Sequence, residues 1–267
     1  LTIMVGGMAT IAGGVMAGYI QMLGQSFADA HHIPLAEAQL KFAVQLLAAS
    51  TMAAPASLAI SKIIYPEVGE PVTRGTVKLD IPKNASNVIE AAATGAGDGL
   101  QLSLNVAGML LAFIALIALF NYLFGAVGDL LHVNAMLQAN YGAPLSLQLI
   151  FGLVLRYLAV GIGVPWADAM HFGSLFGTKI VLNEFVAYLD LASLLKANAM
   201  SEKGVMMATY ALCGFANFSS IAIQIGGIGP LAPERKKDIA SLGLRAVLGG
   251  CLATLMTATI AGILVGS

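Results

Sequence analysis

GVPWADAMHFGSLFGTKIVLNEFVAYLDLASLL, residues 163–195, decides how the rest of the chain is read. After a short polar break comes GVMMATYALCGFANFSSIAIQIGG, residues 204–227. Both stretches are apolar enough for a membrane, yet they hold Asn183, Glu184, Asn217, Ser219 and Ser220. Ionisable and amide groups at membrane depth are costly and are kept there chiefly to act on something. The two stretches therefore point to a polar solute or ion handled in the middle of a bilayer. The first also has an awkward length. Residues 164–196 are too many for one span and too few for two, and Asp168, His171, Lys179, Glu184 and Asp190 punctuate them. A re-entrant hairpin of two half-helices fits, with its tip near residues 177–183. Irregular backbone at that depth is tolerated only where protein or a water-filled cavity covers it.

The composition agrees. The chain of 267 residues is 58% hydrophobic and 10% charged, against about 25% charged in soluble domains. Mean hydropathy is +0.85. The expected fold class is an all-α, polytopic membrane protein with a re-entrant hairpin, broken helices and interfacial helices. Net charge is −1, and no basic patch with interleaved aromatics supports nucleic-acid binding. Cys213 and Cys251 lie in apolar blocks without metal or redox spacing and read as small buried side chains. No GxSxG, HExxH or Walker motif stands in a suitable context, so neither an enzyme nor an organic cofactor is expected.

Uncharged apolar blocks place spans at about 1–24, 42–64, 100–128, 204–232 and 244–266. The first is rich in Gly and Thr, in GGMATIAGGVMAG, which either packs helices closely or marks a helix that breaks. Residues 25–41 read as a polar connector, and Pro55 should kink the second span. Residues 62–98 form the most polar part, where NVIEAAATGAG from Asn87 reads as a short surface helix ended by glycine. Residues 145–163, with one Arg156 and a proline at each edge, read as a helix lying at the interface. A cytoplasmic 62–98 loop gathers Lys62, Arg74, Lys78, Lys83, Arg235, Lys236 and Lys237 inside, in line with the positive-inside rule. The chain opens within an apolar block, with neither Met nor a charged leader, and reads as lacking an N-terminal part.

Three groups of residues can carry chemistry. Asn183 and Glu184 offer acceptors and donors at a half-helix terminus. The carboxylate can take sugar hydroxyls or can pair with Lys179 on the same hairpin. Asn217 and Ser220 are three apart and share a helix face, with Phe215 able to stack on a flat ring. Alone, such groups also serve as polar glue between helices. Thr10 supplies a hydroxyl where an unwound helix would free carbonyls for a sodium ion. His31, His32 and His132 read as solvated or interfacial.

MATIAGG, NVIEAAATGA, GVPW…TKIVLNEFVAY, FANFSSI…GG and LGLRAVLGG occur here in one order. Together they resemble the concentrative nucleoside transporter family, the sodium- or proton-coupled nucleoside symporters, over its C-terminal part. The resemblance implies a homotrimer of scaffold and moving transport domains in the cell inner membrane. It implies uptake by alternating access, with sodium favoured as coupling ion. It also implies that Glu184, Asn217 and Ser220 meet ribose, with Asn183 beside them. Phe215 and Val15 would lie near the base, and Thr10 with the Ile11 carbonyl would form part of a sodium site. Residues 100–128 would belong to the trimer scaffold. The family's first hairpin, with its Gln-Thr/Ser-Glu run, is not found in this sequence, and Gly14 stands where some members have Ser.

Overall fold

The computed structural model describes residues 1–69, 86–228 and 233–265. Arg74, Lys78 and Lys83 of the expected cytoplasmic loop, and the end of the expected 204–232 span, lie outside the described residues. Every long element is helical: α1 (Thr2–Ala9), α2 (Gly13–His31), α3 (Leu35–Ile64), α4 (Val88–Leu130), α5 (Asn134–Tyr141), α6 (Leu147–Gly161), α7 (Trp166–Val181), α8 (Glu184–Lys196), α9 (Glu202–Leu212), α10 (Phe218–Ile228) and α11 (Lys236–Leu264). Among the described residues three segments are long and apolar enough to cross a membrane: Thr2–His31, Leu35–Ile64 and Lys237–Leu264. The fold is that of an all-α, multi-pass membrane protein.

Three of the apolar blocks are broken. The first splits at residues 10–12, between α1 and α2. The hairpin stretch splits at residues 182–183, between α7 and α8. The block expected as one span over 204–232 splits at residues 213–217, between α9 and α10. Around these breaks lies the core, where Met8, Tyr19, Phe42, Phe172, Phe176, Leu191 and Met207 are fully buried.

Two local expectations give way. The polar connector at 25–41 is helical almost throughout, with only residues 32–34 between α2 and α3. Its polar side chains sit on exposed helix faces and bond one another. Gln25 donates to Asp29 at 2.7 Å, and Gln39 donates to Gln21 at 2.5 Å. The short surface helix from Asn87 does not end at its glycines but runs on to Leu130. Its start is a reciprocal cap: Glu90 N–H donates to Asn87 Oδ1 at 2.8 Å, and Ser86 N–H donates to the Glu90 carboxylate at 2.7 Å. Glycine weakens a helix interior but does not stop it where no left-handed turn follows. Pro55 lies inside α3 without ending it.

The helix expected at the interface, α6, folds back on α7 through a 120° bend. Glycine lets them close. A Cβ on Gly173 would sit 3.0 Å from the Gly152 carbonyl, and one on Gly177 would overlap the Phe151 ring. The seam of small residues brings two backbones together as helices in lipid commonly do. Thus α7 is held between α6 on one side and α8 and α9 on the other. The mouth of the hairpin is tied down separately. Asp168, in the first turn of α7, accepts from Ser201 N–H at 3.0 Å and from the Ser201 hydroxyl, and Ser201 caps α9.

Candidate functional site

The α7–α8 break places Glu184 at the first residue of α8, four per cent exposed. Asn183 sets that position. The chain leaves α7 at Leu182; Asn183 is extended, and its Oδ1 accepts from Val186 N–H at 3.0 Å as the N-cap of α8. The cap uses one lone pair of the Asn183 side-chain oxygen and leaves the amide N–H groups for anything else.

Across from it, the α9–α10 break presents Asn217, two per cent exposed. Asn217 Oδ1 accepts from Ser220 N–H at 2.9 Å, Ser220 Oγ at 3.0 Å and Ser219 Oγ at 2.7 Å. With the oxygen so used, the amide is turned outward. Asn217 Nδ2 donates to Glu184 Oε2 at 3.4 Å. The two polar residues singled out in separate stretches are therefore neighbours. Ser220 is buried beside Asn217, and Phe215 is half-buried in the same break.

The third break adjoins the second. Gly214 adopts φ +135°, a conformation side chains rarely take. A Cβ there would lie 2.7 Å from the Met8 carbonyl oxygen and 2.8 Å from that of Ala9. The α9–α10 break thus rests on the C-terminal end of α1. Just beyond, Thr10 takes an extended conformation, and its hydroxyl donates to the Gly6 carbonyl at 2.9 Å. That orientation leaves the Thr10 lone pairs free. The first turn of α2 closes from Met16 N–H to the Ala12 carbonyl, which leaves the buried Ile11 and its carbonyl outside the helical ladder. Val15 is exposed and Tyr19 is buried one turn later on the same face of α2. The Tyr19 hydroxyl donates to Glu184 Oε1 at 3.1 Å.

Lys179 does not pair with Glu184. It is fully buried, and its ammonium donates to the Ala211 carbonyl at 2.7 Å and to Thr254 Oγ1 at 3.2 Å. Ala211 lies in the last turn of α9, where helix carbonyls lack partners and carry partial negative charge. The cation therefore braces the break at residues 213–217. Sequence reasoning missed this, and missed Tyr19, because an apolar helix with one tyrosine reads as core. A cavity of about 200 Å3 lined by Phe27, His31, Leu195 and Glu202 lies elsewhere. It sits about 16 Å along α8 from Glu184, at the hairpin's open end. There His31 stacks on Phe27, with centroids 3.9 Å apart. Among the described residues no group of three or more His, Cys, Asp and Glu is placed to hold a metal ion.

Comparison with known proteins decides the family. The family described as "Na+ dependent nucleoside transporter C-terminus" matches residues 45–262. The chain belongs to it, among the concentrative nucleoside transporters. It is 46% identical over 268 residues to an uncharacterized transporter of Haemophilus influenzae, covering 99% of this chain and 58% of that protein. It is 43% identical to the nucleoside permease NupC of Helicobacter pylori, over 97% of this chain and 56% of that one. The solved structure of CNTnw in an inward-facing substrate-bound state superposes with a TM-score of 0.80 at 40% identity, covering all of this chain and 57% of that one. The chain thus spans a little over half the length of these relatives. Membership of this transporter family agrees with the expected membrane location and with a non-enzymatic role.

Proposed function

We propose that this chain forms the ribose-binding half of an ion-coupled nucleoside symporter that imports nucleosides by alternating access. The observation that carries the reading is the meeting of Glu184 and Asn217, 3.4 Å apart, from two separately broken helices. Half-helix ends and unwound backbone near the membrane midplane are where transporters of many folds hold their cargo. Glu184 accepts ribose hydroxyls, and Asn217 and Ser220 supply an amide and a hydroxyl beside it. Asn183 caps the half-helix and offers its amide. Phe215 and Val15 flank the base.

Sodium is the favoured coupling ion. The family description supports it, and so do the Thr10 hydroxyl and the Ile11 carbonyl, neutral oxygens at a break. Further sodium and base ligands belong to the first hairpin that the family resemblance implies. The assembly is a homotrimer in the cell inner membrane, with α4 in its scaffold.

Uptake of labelled uridine by the full-length protein in vesicles tests the assignment. Glu184→Gln should reduce concentrative uptake to background at unchanged protein abundance. Normal uptake by that variant would remove Glu184 from the substrate site. Coupling is read by varying sodium at fixed pH. Uptake that ignores sodium and follows an imposed proton gradient would replace sodium by the proton.

A further inference from the structure

The Glu184 carboxylate is held from two sides, and unequally. Tyr19 OH donates to Oε1 at 3.1 Å, whereas Asn217 Nδ2 reaches Oε2 only at 3.4 Å, the weak end of hydrogen-bond geometry. Tyr19 itself has almost no freedom. It is one per cent exposed. Its ring lies against Tyr188, with centroids 4.3 Å apart, and near Phe185 at 6.1 Å. Both partners belong to the same helix as Glu184. Tyr188 is anchored in turn, its hydroxyl donating to the Thr209 carbonyl at 2.9 Å. The phenol is therefore a fixed donor aimed at one carboxylate oxygen, with its own orientation locked by packing.

We propose that Tyr19 is a positioning residue for Glu184: its phenol occupies Oε1, so that Oε2 is the oxygen presented to a ribose hydroxyl. This rests on the nucleoside reading above. Among the described residues, a hydroxyl arriving at Oε2 competes only with the long Asn217 contact. Without the phenol, the carboxylate turns about its last bond and presents either oxygen. Tyr19 also lies two turns into α2, the helix that starts at the break beside Thr10. A shift of that helix moves the phenol and, through it, the carboxylate.

The test is Tyr19→Phe in the full-length protein, which removes the hydroxyl and keeps the ring. Inhibition of labelled-uridine binding to purified protein is measured with unlabelled uridine and with 2′,3′-dideoxyuridine, which lacks both ribose hydroxyls. Wild type should favour uridine by at least about tenfold. In Tyr19→Phe, uridine should weaken about tenfold while dideoxyuridine stays within about twofold, so the preference collapses. Uptake assays should show the loss in KM rather than in maximal rate. Equal weakening of both ligands would overturn the proposal, as would a loss of rate alone. A variant that binds neither ligand or fails to accumulate would assign the hydroxyl to the fold instead and also overturn it. Wild-type protein that binds no nucleoside at all would sink the nucleoside reading itself. That outcome is seen before any variant is made.

Discussion

The helices α7 to α10 and the helix α4 are built from similarly apolar sequence and behave in opposite ways. Among them, α7, α8 and α9 are short, interrupted and largely buried, and α10 is short and buries Ser220 while leaving Phe218 and Ile223 exposed. Their polar side chains bond one another across the breaks, as Asn217 does with Glu184. By contrast α4 runs unbroken for 43 residues, about 65 Å, roughly twice a bilayer's hydrocarbon thickness. It leaves Leu111, Tyr122 and Leu104 bare, and its main contacts are with α5 and α6. Asn121 and Asn134 make those contacts specific, each accepting a backbone N–H at 3.0 Å just before or at the start of α6. The difference shows what interruption does. A continuous helix satisfies its own backbone and presents only side chains. A broken one exposes carbonyls and N–H groups that must be matched by caps, by a neighbour or by cargo.

The breaks themselves should be the most sensitive places in the molecule. Gly214→Ala forces a side chain into φ +135° and against the Met8 and Ala9 carbonyls. Strain and overlap together should cost about 3 kcal/mol. Thermal unfolding of purified protein in detergent would register it, and so would loss of uridine uptake. A variant as stable and active as wild type would mean that the α9–α10 break does not rest on α1.

Next in size comes the brace. Lys179→Met keeps the length and packing of the side chain but leaves the Ala211 carbonyl and Thr254 without their donor. One buried acceptor left unmatched costs about 1–3 kcal/mol. The same measurement should show a loss in that range. Lys179→Arg should not rescue it, because a forked guanidinium does not fit a site filled by one ammonium. Full stability in the Met variant would show that the half-helix end is satisfied another way.

The helical class, the awkward hairpin length and the residues Glu184, Asn217 and Ser220 were legible because each is a polar group inside an apolar run. What stayed hidden depended on partners far away in sequence. Lys179 lies five residues from Glu184 and reads as an alternative partner to a sugar hydroxyl for its carboxylate. The break at residues 182–183 reorients the chain between them, and the ammonium meets α9 and α11 instead. Tyr19 carries no signal of its own, since its role exists only through a contact 165 residues away. The clamp between Asp168 and Ser201 is a contact of the same kind. The glycines of α4 misled in the other direction. A glycine after an amphipathic run resembles a helix stop, but only a chain that turns there uses it as one.

The smallest effect belongs to the exposed rim, where Lys41 and Glu202 form an ion pair at the start of α9. The ammonium hydrogen-bonded to it, and its charge, hold the Glu202 carboxyl below its usual value. A carboxyl depressed in the folded state adds stability that is present above its unfolded value. That stability is lost as pH falls through the folded one. Glu202→Gln should therefore lower stability at pH 7, and the difference should shrink as pH falls through the depressed folded value and vanish below it, where both proteins carry a neutral side chain. Because Glu202 is 73% exposed, solvent screens most of the interaction, and the gap should stay under about 1 kcal/mol. Raising the salt concentration should shrink it further. Lys41 keeps its place over the Phe27 ring, 4.4 Å from the centroid, when Glu202 is gone, so the variant does not unpack α3. A pH-dependent loss as large as that of Gly214→Ala would break the contrast between rim and breaks. It would mean that the open end of the hairpin, and not its tip, holds these helices together.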